Sequence, residues 1–240
     1  MWTQTISMEQ LNARACWKVE FFCQEVDEDP YAGFTLVPLG ELIHQRRETV
    51  DPQTKADHIF NYLGLEQVQS LTGDLVGFAP KPGKAILSRS KVFVKGDILY
   101  GRLRPYLNKV YLASDDQVAS GICSGEFYVL VPDPSVVLPN FLRAMLTSRH
   151  VQRHVRYRQT GSALPRLQLG ELLSIQIPVP PLAIQAAYEE YIVAEDSRRR
   201  RLTAEVASIP QRVLDTITKA LESGEHSPSP TAKAGVTAGQ

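Results

Sequence analysis

From Ala183 to Glu222 the chain runs without a glycine and with a single proline, Pro210, directly after a cluster formed by Pro178, Pro180 and Pro181. Prolines close off a strand, and the stretch that follows keeps an apolar stripe at Ile184, Tyr188, Tyr191, Leu202, Ile209, Val213, Ile217 and Leu221. The pattern predicts one long helix over residues 183 to 222, roughly 60 Å at about 1.5 Å per residue. Arg198 to Arg201 interrupt the stripe, and Pro210 is expected to kink the helix or divide it in two. A lone helix of that length cannot bury its stripe on itself, so it calls for a partner helix, with Ile184, Tyr188, Tyr191, Leu202, Ile209 and Val213 as seam residues. The competing arrangement packs the stripe on the chain's own globular part. The four arginines favour a partner-facing or solvent-bridging helix instead.

The 240 residues are 43% hydrophobic, enough for a substantial core. Residues 1 to 33 read as an opening segment running into the acidic stretch from Glu25 to Pro30, not as a domain. Phe34 to Leu42 predicts a short strand entering a helical turn, and Ile59 to Val68 a strand. Gly73, Gly77, Pro80, Pro82 and Gly83 mark a long connection. Between Ala85 and Pro132, Ile86-Leu87, Val92 to Val94, Ile98 to Tyr100, Val110 to Leu112 and Phe127 to Val131 predict short strands of one sheet. Pro139 opens a helix expected to reach about His154, and Leu172 to Val179 reads as a last strand. The fold class is mixed α/β (α+β): a short-stranded twisted sheet with flanking helices over 34 to 181, then the long helix. Residues 223 to 240 have the composition of a disordered tail.

Net charge is zero, but it is unevenly placed. Lys81 to Gly170 holds fourteen basic against five acidic residues, a local charge of +9, whereas residues 1 to 80 hold five against twelve. Cations interleaved with aromatic and apolar groups suit a nucleic-acid surface. Lys81, Lys84, Arg89, Lys91, Arg102, Arg104, Lys109, Arg158 and Arg166 are the candidate contacts. Arg102 and Arg104 stand two apart after a strand and would share a face, exposed, if the strand continued. Arg149, Arg153, Arg156 and Arg158, with His150 and His154, form a further basic segment, and no acid occurs from Asn140 to Gly170. A solvated helix face is the alternative for that segment.

Three stretches carry a family resemblance. They are Leu39-Gly40-Glu41-Leu42; Gly96-Asp97-Ile98-Leu99 through Arg102-Leu103-Arg104-Pro105-Tyr106-Leu107 with Lys109-Val110; and Gly161 with Pro165-Arg166-Leu167, followed by Ile175 to Leu182 and Gln185. In this order they resemble the specificity subunit of type I restriction-modification enzymes. The resemblance implies a target recognition domain that reads duplex DNA and a helix that spaces it from a second such domain and docks methyltransferase subunits. S-adenosylmethionine, ATP and Mg would then be bound by the methyltransferase and restriction subunits, not by this chain. A typical specificity subunit has two recognition domains and two helices, and here there is one of each. A half subunit that pairs with itself, or with a second half, and a partial gene product are both compatible with that count.

Other chemistries find little support. Cys16, Cys23 and Cys123 make no disulfide framework, and neither a signal peptide nor an apolar run of 18 is present, so a soluble cytoplasmic protein is expected. Gly121-Ile122-Cys123-Ser124-Gly125 has the outline of a nucleophile elbow, the basis of an alternative Cys123 hydrolase, but a strand is predicted where the elbow requires a helix. His150 and His154 lack a nearby acid or cysteine to complete a metal site. No lysine has an acid two positions before it, and Val179-Pro180-Pro181-Leu182 lacks the polar and aromatic neighbours of an amino-methyltransferase motif. The expected protein is noncatalytic. A third alternative is a nucleic-acid-binding scaffold without restriction function.

Overall fold

The computed structural model describes residues 31 to 223 apart from 32 and 162. The expectations for residues 1 to 30 and for most of the tail lie outside this range. Two compact units are present, divided between Ile192 and Val193.

The first unit is built on a sheet in the order β2-β11-β8-β9, from β2 (Ile43–Gln45), β11 (Phe127–Pro132), β8 (Ile98–Gly101) and β9 (Val110–Leu112), with every neighbour antiparallel. Side chains alternate across a strand, so β8, β9 and β11 each serve two cores, whereas β2 contributes only Ile43 to one. Ile98, Tyr100, Tyr128 and Leu130 pack with helices α2 (Pro139–Thr147), α3 (Arg149–Arg158) and α4 (Leu169–Leu173) on one face. Leu99, Phe127 and Val129 pack with Leu63, Phe93 and Cys123 on the other. That second core is covered by another sheet, ordered β3-β7-β10-β5, from β3 (Thr49–Val50), β7 (Ser90–Phe93), β10 (Gly121–Cys123) and β5 (Tyr62–Leu63).

Two small pairs complete the unit: β1 (Leu36–Pro38) with β12 (Gln176–Pro178), and β4 (Ile59–Phe60) with β6 (Lys81–Pro82). The turn α1 (Leu39–Leu42) follows β1, as the sequence predicts.

Several expectations are corrected. The single sheet is in fact these separate sheets. Ile86-Leu87 is not a strand: Ile86 is buried and Leu87 is 84% exposed. Residues 65 to 67, expected as strand, form a 3-10 turn. The helix opened by Pro139 ends at Thr147, because Ser148 is extended (ψ 158°) and its Oγ accepts from Val151 N–H to cap a new helix, α3. Leu172 and Leu173 belong to α4, so the last strand is only Gln176–Pro178.

α5 (Leu182–Glu222) is continuous through Pro210. Proline leaves the Val206 carbonyl without its helical donor, but Val206 is 65% exposed, so water can serve that group. The expected seam residues Ile184, Tyr188, Tyr191, Leu202, Ile209 and Val213 are all exposed. No helix of the described residues is long and apolar enough to cross a membrane.

Candidate nucleic-acid interface

The candidate cations fall into two groups, and the larger is committed to holding the domain together. β8 stops at Gly101, and the chain beyond it is tied down by Glu126. Arg166 grips that carboxylate with Nη2 2.8 Å from Oε1 and Nε 3.2 Å from Oε2. Arg102 brings its Nε to 3.6 Å of Oε2 and lays its guanidinium 5.4 Å over the Tyr128 ring. The hydrogen bond from Arg166, helped by the nearby charges of Arg102 and Lys91, holds the Glu126 carboxyl below its ordinary range.

Lys91 Nζ donates to Phe127 O at 2.5 Å and to Gly125 O at 3.2 Å, and burial lowers its pKa. Lys109 Nζ donates to Leu65 O (2.6 Å), while Arg158 Nη1 donates to Ser174 Oγ (2.7 Å) and Glu171 O (3.1 Å). Arg102 is therefore only partly exposed, contrary to expectation. β8 itself ends at Gly101, beyond it only Leu103 pairs, as an isolated bridge to Arg166, and Arg104 turns left-handed at φ 48°, so the continued strand on which a shared face for the two arginines depended is not formed.

Arg89 and Arg104 form the other group, together with the more loosely engaged Lys84 and Lys81. Arg89 and Arg104 are exposed. Lys84 pairs with Asp57 at 3.1 Å, both side chains more than two-thirds exposed, a contact that water and salt weaken. Lys81 sits 5.4 Å over the Tyr62 ring. Leu87, Ser88 and Arg89 form a short outward loop, fixed at its two ends by buried Ile86 and Ser90.

Sequence reasoning missed Glu126 as the partner of two candidate cations, Arg102 and Arg166. It also missed Asn108, whose buried side chain ties the 104 to 108 turn to α2 and α3 through Thr147 O (2.8 Å) and Gln152 Nε2 (3.0 Å). The only advance signal was that Asn tolerates the left-handed backbone found there, φ 50°.

The remaining reactive side chains are quiet. Burial pushes the Cys123 thiol up to about 12, which keeps it protonated at neutral pH and unsuited to nucleophilic attack. Among the described residues no three His, Cys, Asp or Glu side chains group to hold a metal ion. His150 and His154 instead stack edge to face at 4.9 Å.

Burial first, then the charges of His150, Arg158 and Arg153, push His154 down to about 4. Between that value and the unfolded value of about 6.5, the unfolded chain binds the extra proton, so stability falls as pH drops through this window. A His154→Phe variant should show a flatter dependence of its urea midpoint on pH between pH 7 and pH 4.5 than the parent protein. Identical slopes would mean that His154 is not held neutral.

A sheet covered on one face by helices leads into a long helix, and comparisons with known proteins find the same arrangement elsewhere. Over 125 residues, 52% of this chain and 26% of the relative, the sequence is 31% identical to the type I restriction enzyme EcoDI specificity subunit of Escherichia coli. It is 28% identical over 119 residues to the HindI specificity subunit of Haemophilus influenzae. No family model matches.

The crystal structure of the HsdS subunit from Thermoanaerobacter tengcongensis superposes with a TM-score of 0.60 at 28% identity, covering 87% of this chain and 54% of that one. A structure described for complex assembly and conformational transition of the type I R-M system gives 0.60 at 27%, with 53% of its chain covered. The M. genitalium S subunit, at 15% identity and a TM-score of 0.54, shares the fold. The chain is thus similar in sequence and in fold to type I specificity subunits. It spans about half the length of the solved structures and about a quarter of the curated relatives.

Proposed function

We propose that the chain recognises a specific duplex DNA sequence as one half of a type I restriction specificity subunit and performs no chemistry itself. The observation that carries this is the joint likeness, in sequence and in fold, to specificity subunits over one recognition domain and its helix. The fully buried, protonated Cys123 gives no support to a hydrolase.

Methylation with S-adenosylmethionine and ATP- and Mg-dependent cleavage would belong to associated methyltransferase and restriction subunits in the cytoplasm. Recognition would combine phosphate contacts, which fix register, with a few side chains at base edges. Binding-site selection from a random duplex pool, with the chain alone and with its methyltransferase subunit, tests the reading. A defined sequence should emerge. If about six phosphates are neutralised, the log of affinity should fall against log salt with a slope of about −5. Failure to enrich any sequence in either arm would overturn the proposal.

The second recognition half would come from another copy or from a second specificity half, joined through α5. The exposed apolar residues from Leu202 to Val213 support this, since a helix in water gains by burying such a stripe. Ile209→Glu combined with Val213→Glu should shift the sedimenting species of the chain toward monomer. An unchanged distribution would place the interface elsewhere.

A further inference from the structure

We propose, resting on the DNA-binding reading above, that the surface where α3 meets the Arg104 to Asn108 turn is a preformed seat for backbone phosphates. It sets the register of the duplex and leaves base choice to other loops.

The turn is held in a conformation that Arg104 would not choose. Arg104 and Asn108 both lie in the left-handed region, at φ 48° and 50°, and neither is glycine. Such a backbone persists only where the surroundings impose it. Here they do: Arg104 N–H donates to Pro165 O at 2.7 Å, Leu107 N–H to Arg104 O at 2.9 Å and Asn108 N–H to Pro105 O at 3.0 Å. Pro105 and Asn108 are buried, and the Asn108 amide is clamped between Thr147 and Gln152. Yet Arg104 and Tyr106 remain exposed, Tyr106 at 53%. The frame is rigid and what it presents is left to solvent.

Gln152 also says what lies beside the turn. On a helix, the residues three before and four after a given position flank it along one face, so Arg149 and Arg156 stand one turn to either side of the Gln152 tether. Both are exposed, and neither they nor Arg104 has an acidic partner among the described residues. The nearest acid after α3, Glu171, is engaged by Arg158.

Three unshared guanidinium groups from two locked elements repel one another, a cost that a polyanion would reverse. Arg149 and Arg156 lie seven residues apart along a helix edge and Arg104 on the turn tethered to it, a spread that suits successive phosphates better than a single base pair. The Tyr106 hydroxyl adds a neutral donor of the kind that phosphate oxygens accept.

The test uses the full chain, with its methyltransferase subunit, on two duplexes: the sequence selected from the random pool and an unselected one. In the combined Arg104→Ala, Arg149→Ala and Arg156→Ala variant the salt slope should become shallower by about 0.9 for each phosphate that is no longer neutralised. Preference for the selected duplex should not change. The matching triple Lys variant should keep the parent slope. Asn108→Gly, which retains the left-handed backbone but removes both tethers, should weaken binding to both duplexes alike.

An unchanged slope in the Ala variant would overturn the seat. Loss of sequence preference at unchanged slope would overturn it in favour of base reading. Undiminished binding by Asn108→Gly would remove Asn108 as a positioning residue. Failure of the underlying DNA reading shows separately, as no selected sequence for the parent protein.

Discussion

Replacing Asp97 with alanine is expected to lower stability by about 3 kcal/mol, read as a lower denaturant midpoint at an unchanged slope of free energy on denaturant. Asp97 is 1% exposed. Its carboxylate accepts from Arg46 Nε at 2.7 Å and Nη2 at 3.0 Å, and from Val94 N–H at 2.9 Å. Arg46 follows the edge strand β2 and Asp97 opens β8, with β11 lying between those two strands. The pair therefore reaches across a strand to join an edge to the centre of the sheet. Its turn is stitched to β9 as well, through Gly96 N–H to Ala113 O and Ala113 N–H to Asp97 O, each 2.9 Å.

Alanine leaves a backbone donor and a guanidinium without their acceptor. Because Arg46 is 25% exposed it can recover some hydration, which places the loss near the lower end for a broken buried pair. Arg46→Ala should cost a comparable amount, since it strands the carboxylate, and the double variant should cost much less than the sum. Additive single effects would show that the two side chains act independently.

Asp97 also shows what a sequence can and cannot disclose. Gly96-Asp97 before Ile98-Leu99-Tyr100 reads as a turn leading into a strand, and so it folds. Nothing local reveals that the aspartate is buried, because its partner stands fifty-one positions away. The same holds at the interface. The cations are legible as a charge excess, but nothing local shows that Glu126, forty positions from Arg166, ties down that arginine and Arg102. Strands are legible from their β-branched and aromatic residues. Their division into separate sheets is not, because strands buried on both faces lose the polar alternation that marks a face. The helix break at Ser148 and the shortened last strand fall where brief apolar runs fit either period. The glycine-free run after Pro181 does form one helix, and Pro210 perturbs it less than its chemistry suggests because the carbonyl it deprives of a donor lies at an exposed position.

Gln185→Ala is expected to cost about 3 kcal/mol, because it exposes a dependence that spans two elements. The α2 helix begins at Pro139 after Leu138, a residue with no side chain able to cap it. The missing acceptors come from α5: Gln185 Oε1 takes the Leu138 N–H at 2.9 Å, and Glu189 Oε1 takes the Asn140 N–H at 2.6 Å. The Gln185 amide also donates to Pro180 O at 2.8 Å and Val136 O at 2.9 Å, and the residue is fully buried. Truncation strands one donor and two acceptors, each costing about 1–3 kcal/mol, less whatever water enters the space left behind.

Gln185→Glu should be no better. It keeps the acceptor but sets a carboxylate against two carbonyl oxygens in place of the amide donor. Glu189→Gln retains an acceptor oxygen and should lose less than Gln185→Ala does. These bonds lie within the first compact unit, so its stability depends on residues beyond Pro181, where the recognition domain was expected to end. Chemical denaturation of the three variants beside the parent decides the matter. A loss at Gln185→Ala no larger than that at Glu189→Gln would mean that the buried amide is not what fixes the start of α5 to α2.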